Sequence, residues 1–409
     1  MNFDDHDDEL EWMFDPLSTE FIRDPYPTYE QLRKMKRMHR AAIGLRLAAR
    51  HADVSFVLND RRFGKKFEHR MTERLGPEIM EAPAYRAMSH WILQKDPPDH
   101  ARLRGVVVRA FAARTVEAMR HRIQKIVDDT LDRLIPRRHM DVVGDFAQIV
   151  PLAFICEMLG IPEEYHEMFR LVSRSVGRLL DPVLPSKGEI DSANNSTLKA
   201  HSLCLELIEL TRRQPSDTLM ARLIEANHEG VLSEEELTAS VILMFGAGHE
   251  TTLHMIGNGL LALHRDPNQL EILKENPAII GRAVEELLRF DSSAQSTGRV
   301  AMEDIRGPNG VLIAKGEGIL CLLGSANRDA LVYPDKPDRV ILNRSGPKPL
   351  FFGGGIHFCV GAQLARIQLE VALSTLLRRI PNLQLHDIEC PKWRRSFVLR
   401  GTEELAASW

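Results

Sequence analysis

From Ser233 the chain runs through three glutamates and then stays nearly uncharged as far as His264. Ser233 with Glu236 three residues on is a capping box, and Asp266-Pro267 ends the run. At 1.5 Å per residue this predicts one helix of roughly 45–50 Å. Apolar residues at spacings of three and four predict further helices over Pro27–Arg37, His100–Arg109, Thr115–Leu134, Pro151–Leu159, Tyr165–Leu180, Ser192–Arg213, Pro277–Arg289 and Gly361–Arg379. Strand patterns are sparse and fall at Ala41–Leu47, Val311–Ile313, Ile319–Leu323 and Phe397–Leu399. Asp181–Ser192, with Pro182, Pro185 and Gly188, reads as a surface loop between two helices, placed to act as a lid. The fold class is therefore mainly α with minor β. No linker composition and no internal repeat divides the 409 residues, so one domain over 1–409 is expected.

Composition narrows the function. A net charge of −4 supplies no global basic field for nucleic acid. Residues 1–20 begin acidic, lack a basic start followed by an apolar run, and read as a flexible tail rather than a secretory signal. The five cysteines (Cys156, Cys204, Cys321, Cys359, Cys390) form no Cys-x-x-Cys pair, which fits a cytoplasmic protein without a disulfide framework or zinc cluster. The long central run is the obvious rival for a membrane span. Glu250 at its centre, His249 and His254 beside it, and the lack of basic anchors favour a buried helix and no membrane anchor.

The sharpest chemistry lies in Phe352-Gly353-Gly354-Gly355-Ile356-His357-Phe358-Cys359-Val360-Gly361, immediately before a helix. A thiol there meets free backbone N–H groups and the positive end of a helix dipole, which favour thiolate. The glycines let backbone approach a flat group closely. Such a stretch suits haem iron held through one sulfur. Inside the central helix, Ala247-Gly248-His249-Glu250-Thr251-Thr252 pairs two glycines, Gly246 and Gly248, with a carboxylate and a hydroxyl able to relay protons. The Thr251 hydroxyl can bond the carbonyl of Ala247 and bend the helix. A zinc-hydrolase reading needs histidines four apart, and His249 and His254 are five apart, so their rings diverge. Glu286 and Arg289 share a helix face and can pair. His100 and Arg104, after Asp96-Pro97-Pro98-Asp99, offer an imidazole and a guanidinium to an anion.

Taken in order along the chain, these strings resemble the cytochrome P-450 family, over nearly all of the chain from about Asp24. The Phe-x-x-Gly-x-His-x-Cys-x-Gly, Ala-Gly-His-Glu-Thr-Thr, Glu-x-x-Arg and Asp-Pro-Pro-Asp-His-x-x-x-Arg strings carry the likeness. Ala326-Asn327-Arg328-Asp329 makes it similar to the bacterial soluble branch. The resemblance implies a long central helix over haem b, with a small β-rich region. Cys359 would be the metal ligand, Phe352 would pack near its sulfur, and Gly361 would admit the haem. His100, Arg104, Arg299 and His357 would bind the haem propionates. Glu250 and Thr251 would be catalytic, moving protons for dioxygen activation, while Glu286, Arg289 and Arg339 would form a buried structural network.

The implied activity is insertion of one oxygen atom from O2 into an apolar small organic substrate, by hydroxylation or epoxidation. Terpenoid, steroid, fatty-acid and polyketide-like substrates all qualify. Electrons would come from a ferredoxin-type donor with an NAD(P)H-dependent reductase, docking near Arg102, Arg109 and Arg366. A peroxide-using or isomerising haem-thiolate enzyme and a non-catalytic haem sensor are the alternatives. Expected pocket residues are Met244, Ala247, Gly248, Ala294, Ser296 and Phe397, with the Gly76–Leu93 segment. The basic stretch Arg61, Arg62, Lys65, Lys66, Arg70 and Arg74 reads as a solvated face, with a carboxylated substrate as its other meaning. Ser293, Val340 and Gln368 depart from residues common in the family, where proline, an aromatic and glutamate stand.

Overall fold

In the computed structural model the central helix runs over Glu234–Arg265. Ser233 Oγ accepts from the Glu236 N–H at 3.1 Å, and the Glu236 carboxylate accepts from the Ser233 N–H at 3.0 Å. The structure describes residues 15–35, 37–110, 119–214 and 217–409, with the side chains of residues 110 and 309 excepted. The expected acidic tail lies outside these up to residue 14. Its last residues are ordered structure instead, because Ser18 caps a short helix, Thr19–Arg23. The expected start of a helix at Thr115 also lies outside the described residues, and the helix is seen from Arg120 to Leu134.

Helices surround the central one. Ile149–Leu159, His166–Gly177 and Ala362–Arg379 pack directly on it, burying one large apolar cluster that includes Phe146, Phe154, Phe169 and Phe245. Asp99–Ala110, Tyr26–Lys34 and Ile280–Phe290 also follow the sequence expectation closely. The pattern misses His51–Asn59, Phe67–Leu75, Pro83–Ser89, Leu219–His228 and Pro267–Glu275. It also starts one helix too late. A second capping box, Ser186 with Glu189, begins Lys187–Arg213, so Pro185 and Gly188 bracket a helix start rather than a loop.

The connection left between helices is therefore short, and it is anchored. The buried Asp181 carboxylate accepts from Ser396 Oγ and from the N–H groups of Phe397 and Val398 at 2.8–3.1 Å. A freely moving lid over Asp181–Ser192 does not fit that arrangement.

A five-stranded sheet is ordered His39–Ala41, Leu45–Ala48, Gly318–Leu322, Ser296–Ala301, Phe63–Gly64. The expected strand Ala41–Leu47 is thus two strands of a hairpin. Phe397–Leu399 is no strand, and only Leu399 bridges to Ala294. Pairing of Gly64 with Val300 brings the following Lys65 beside Arg299. Among the described residues one segment, Val142–Leu159, is apolar and long enough to cross a membrane, and 67% of it is buried within the protein.

Candidate active site

Between the central helix, the Cys359 turn and the edge of the five-stranded sheet lies a cavity of about 490 Å³. Cys359, Gly361, Phe352, His357, His100, Arg104 and Arg299 all line it, as do Glu250, Thr251, Met244, Ala247, Gly248, Ala294 and Ser296. Phe397 does not. Its neighbours Val398 and Leu399 face the cavity, while Phe397 turns the other way and packs on Phe21 with ring centroids 5.8 Å apart.

The Cys359 turn is tight. Its N–H donates to the Phe352 carbonyl at 3.0 Å. Gly355 has φ +63, and a Cβ there would lie 2.2 Å from the Leu58 carbonyl oxygen, so only glycine closes this turn. At Gly361 the position of a Cβ faces open space, which leaves the thiol side of the cavity clear. Cys359 is exposed toward the cavity, with surrounding protein displacing much of the bulk solvent near its sulfur. Burial therefore pushes its thiol pKa up, and the Gly361 N–H, Arg104 and Arg366 oppose this without reversing it. The expected thiolate is thus not supplied by the helix terminus alone. A coordinated metal ion deprotonates a thiol outright.

At the other edge of the cavity sits a cluster of cationisable groups. The rings of His100 and His357 lie 4.3 Å apart, and the Nε2 atoms of both are buried without a hydrogen-bond partner. Burial, followed by repulsion from Lys65, Arg299, His100 and Arg104, pushes His357 down to about 2. Lys65 is buried too, held well below the usual lysine range by burial, then by Arg299 and Arg70. The nearby carboxylate of Asp96 is occupied by the Lys65 and Lys66 backbone N–H groups at 2.8 and 2.9 Å. Three cations, Lys65, Arg104 and Arg299, beside two imidazoles with unfilled nitrogens, are completed by anions that accept from all of them. The two propionates of a haem fit that requirement, and the open Cys359 sulfur fits its iron. Lys65 was read as solvated. The strand pairing that buries it is invisible in a run of basic residues.

Glu250 is buried, and its Oε2 accepts from Arg394 Nη1 at 2.9 Å. The same nitrogen lies 3.2 Å from His254 Nε2. Burial pushes His249 down to about 4 and His254 well below the usual imidazole range, so both are neutral near pH 7. Thr251 Oγ1 donates to the Ala247 carbonyl at 2.8 Å, as the sequence predicts. A Cβ on Gly246 would lie 3.1 Å from Ser173, and one on Gly248 would lie 3.0 Å from Ile155, so both glycines admit neighbouring helices, and both also line the cavity. No group of three or more His, Cys, Asp or Glu side chains able to hold a metal occurs among the described residues, which leaves the zinc reading without ligands.

Glu286 and Arg289 form a buried bidentate pair at 2.8 and 2.9 Å. Its third side chain is Arg344, not the expected Arg339. Arg344 Nε reaches Glu286 at 3.1 Å, whereas the exposed Arg339 contributes only its carbonyl, to Arg289 at 3.0 Å. Of the expected docking arginines, Arg102 is engaged by Glu236 and Asp99, and Arg366 by Glu285.

Comparison with known proteins agrees with this arrangement. Residues 68–391 match the family model for cytochrome P-450. The chain is 36% identical over 398 residues to the vitamin D(3) 25-hydroxylase of Pseudonocardia autotrophica, covering 96% of this chain and 95% of that one. It superposes on the myxobacterial cytochrome P-450 CYP267B1 in complex with myristic acid with a TM-score of 0.88 and 35% identity, covering 96% and 98%. A third likeness is to the cytochrome P-450 BioI in complex with an acyl carrier protein carrying hexadec-9Z-enoic acid, with a TM-score of 0.87 and 34% identity, covering 96% and 100%. The chain belongs to the cytochrome P-450 family and is a haem b-dependent monooxygenase.

Proposed function

We propose that the chain is a one-domain, cytoplasmic enzyme that hydroxylates or epoxidises an apolar small molecule in this cavity, using electrons delivered by a ferredoxin-type protein and its NAD(P)H-dependent reductase. The observation that carries the reading is that one cavity joins an open thiol, a cationic edge with two unpartnered imidazoles, and the buried Glu250 carboxylate followed by the Thr251 hydroxyl. In this reading Cys359 ligates the iron, and Phe352 and Gly361 flank the sulfur. Lys65, His100, Arg104, Arg299 and His357 hold the propionates. Bound haem supplies the electron-accepting iron and the dioxygen chemistry, which the thiolate tunes toward O–O cleavage.

The protein's own residues control protons and water. Met244, Ala247, Ala294 and Leu399 make the wall beside the central helix largely apolar, which keeps bulk water out. Protons then have to pass through side chains. Arg394 holds the Glu250 carboxylate, and Thr251 presents its hydroxyl one residue on. Apolar substrates are supported by the lining and by relatives named for vitamin D(3) hydroxylation or solved with myristic acid. The external donor is supported by Ile356 and Phe358, which bracket His357 just before Cys359 and are 40% and 41% exposed, with Arg104 bonded to the Phe358 carbonyl at 2.7 Å.

The test is product formation from a panel of terpenoids, steroids, fatty acids and macrolides that shift the haem spectrum on binding. Turnover with NADH, ferredoxin and reductase that exceeds peroxide-driven turnover is expected; the reverse would point to a peroxide-using enzyme. In Thr251→Ala, dioxygen uptake should continue while product falls roughly tenfold or more and peroxide rises. Unchanged coupling would remove Thr251 from the relay. Arg394→Met should leave substrate binding intact, lower kcat about tenfold and raise the solvent isotope effect. An unaltered isotope effect would make Arg394 merely structural.

A further inference from the structure

Of the basic stretch that precedes the cavity wall, Arg61 and Arg62 are exposed, and Arg62 pairs with Asp60 at 2.6 Å. Arg70 and Arg74 behave differently. Both sit on the helix Phe67–Leu75, four residues apart on one face, and both line the cavity. The Arg70 Nε is fully buried without a partner, and its guanidinium makes no ion pair among the described residues. Arg74 Nη2 donates to the Pro182 carbonyl on the loop that closes the cavity. Tyr85 lies beside Arg74 on the same wall. Burial and the neighbouring Arg74 lower the Arg70 pKa to about 10, with no acidic group offsetting them.

A guanidinium with an unfilled, buried donor in a cavity wall that holds no carboxylate beside it is an unfinished interaction. Its planar fork matches a carboxylate. Five other groups on the cationic edge would serve the haem propionates without it. The strand also sets Arg70 on the other face from Arg299, although its charge still reaches Lys65. Thr297 and Arg299 share one face of their strand, where Arg299 Nη1 reaches Thr297 Oγ1 at 3.2 Å. Gly298 points to the opposite face, and a Cβ there would lie 2.9 Å from Arg70 Nη1.

We infer that Arg70, flanked by Arg74, anchors the carboxylate of a substrate whose remaining body is apolar, and so helps set which distant carbon is oxidised. This rests on the monooxygenase reading above and names its substrate class.

The test compares paired probes on the haem-loaded enzyme: dodecanoic, tetradecanoic and abietic acids, each against its own methyl ester. Affinities are read from the spectral shift on binding. The native enzyme should bind at least one acid about tenfold or more tightly than its ester. Arg70→Gln should bring that ratio to about one by weakening the acid alone, with haem content and the reduced carbonyl spectrum unchanged. Arg70→Lys should keep part of the preference, and Arg74→Gln should reduce it by a smaller factor.

The inference is overturned if no acid outbinds its ester in the native enzyme. It is equally overturned if Arg70→Gln loses haem or shifts its spectrum while the ratio persists, since Arg70 would then serve the propionates. A failure to fold or to take up haem has the same meaning. Failure of the monooxygenase reading looks different: the acid preference and its loss in Arg70→Gln would hold while no bound probe yields product.

Discussion

A Cys359→Ser protein is expected to bind little haem and to show no red-shifted Soret band in its reduced carbonyl complex, with turnover at background. The expectation follows from what the turn is built to do. Every feature around Cys359 limits that position to one task. Gly355 closes the turn against the Leu58 carbonyl, Gly361 leaves space beside the sulfur, and the Cys359 N–H is fixed on the Phe352 carbonyl. Serine fits the same space but is a harder, far more basic ligand that does not push electron density onto iron as thiolate does. Burial raises the Cys359 pKa, so a bound metal ion supplies what the helix terminus does not, a deprotonated sulfur. Absorbance of the reduced carbonyl complex and product analysis check the substitution. A serine variant that retained the red-shifted band would place the ligand elsewhere.

The readable parts of this site were local in sequence. The capping box that starts the central helix, the His100–Arg104 spacing and the Cys359 turn each lie within ten residues, and short-range geometry carries their meaning. What sequence reasoning missed was brought together from afar. Arg394 reaches Glu250 across 144 residues, and no pattern near either predicts the pair. Lys65 enters the cationic edge only because Gly64 pairs with Val300. Asp181, read as part of a lid, is fixed by backbone N–H groups more than 200 residues away. Phe397 was assigned to the wrong face because a short extended run does not announce which side is covered. The helix Lys187–Arg213 is the exception. Its Ser186–Glu189 signal was present in the sequence and was outweighed by a nearby proline and glycine.

The largest effect on stability is expected from Glu286→Gln, about 3–5 kcal/mol. Glu286 receives two bonds from Arg289, one from the Arg344 Nε and one from the Ile341 N–H, all between 2.8 and 3.1 Å. Arg289 and Arg344 are also spread over backbone carbonyls: Arg289 donates to Asn327, Pro337 and Arg339 at 2.8–3.0 Å. Those carbonyls hold the guanidinium groups in place but do not neutralise them. Removing the one carboxylate leaves two cations facing each other away from water, where the penalty exceeds anything a neutral amide returns. The loss would spread toward the haem side, because Asn327 Oδ1 accepts from the Leu350 N–H at 2.7 Å, just before the Cys359 turn. Haem release should therefore accompany the drop in unfolding midpoint. The exposed pair Lys125–Asp129 gives the internal control, since Lys125→Ala should change stability by less than about 1 kcal/mol. Denaturant unfolding followed by haem absorbance and by tryptophan fluorescence measures both. A Glu286→Gln shift no larger than that control would mean that the carbonyl cage alone carries Arg289, and that the buried charge pair is dispensable to the fold.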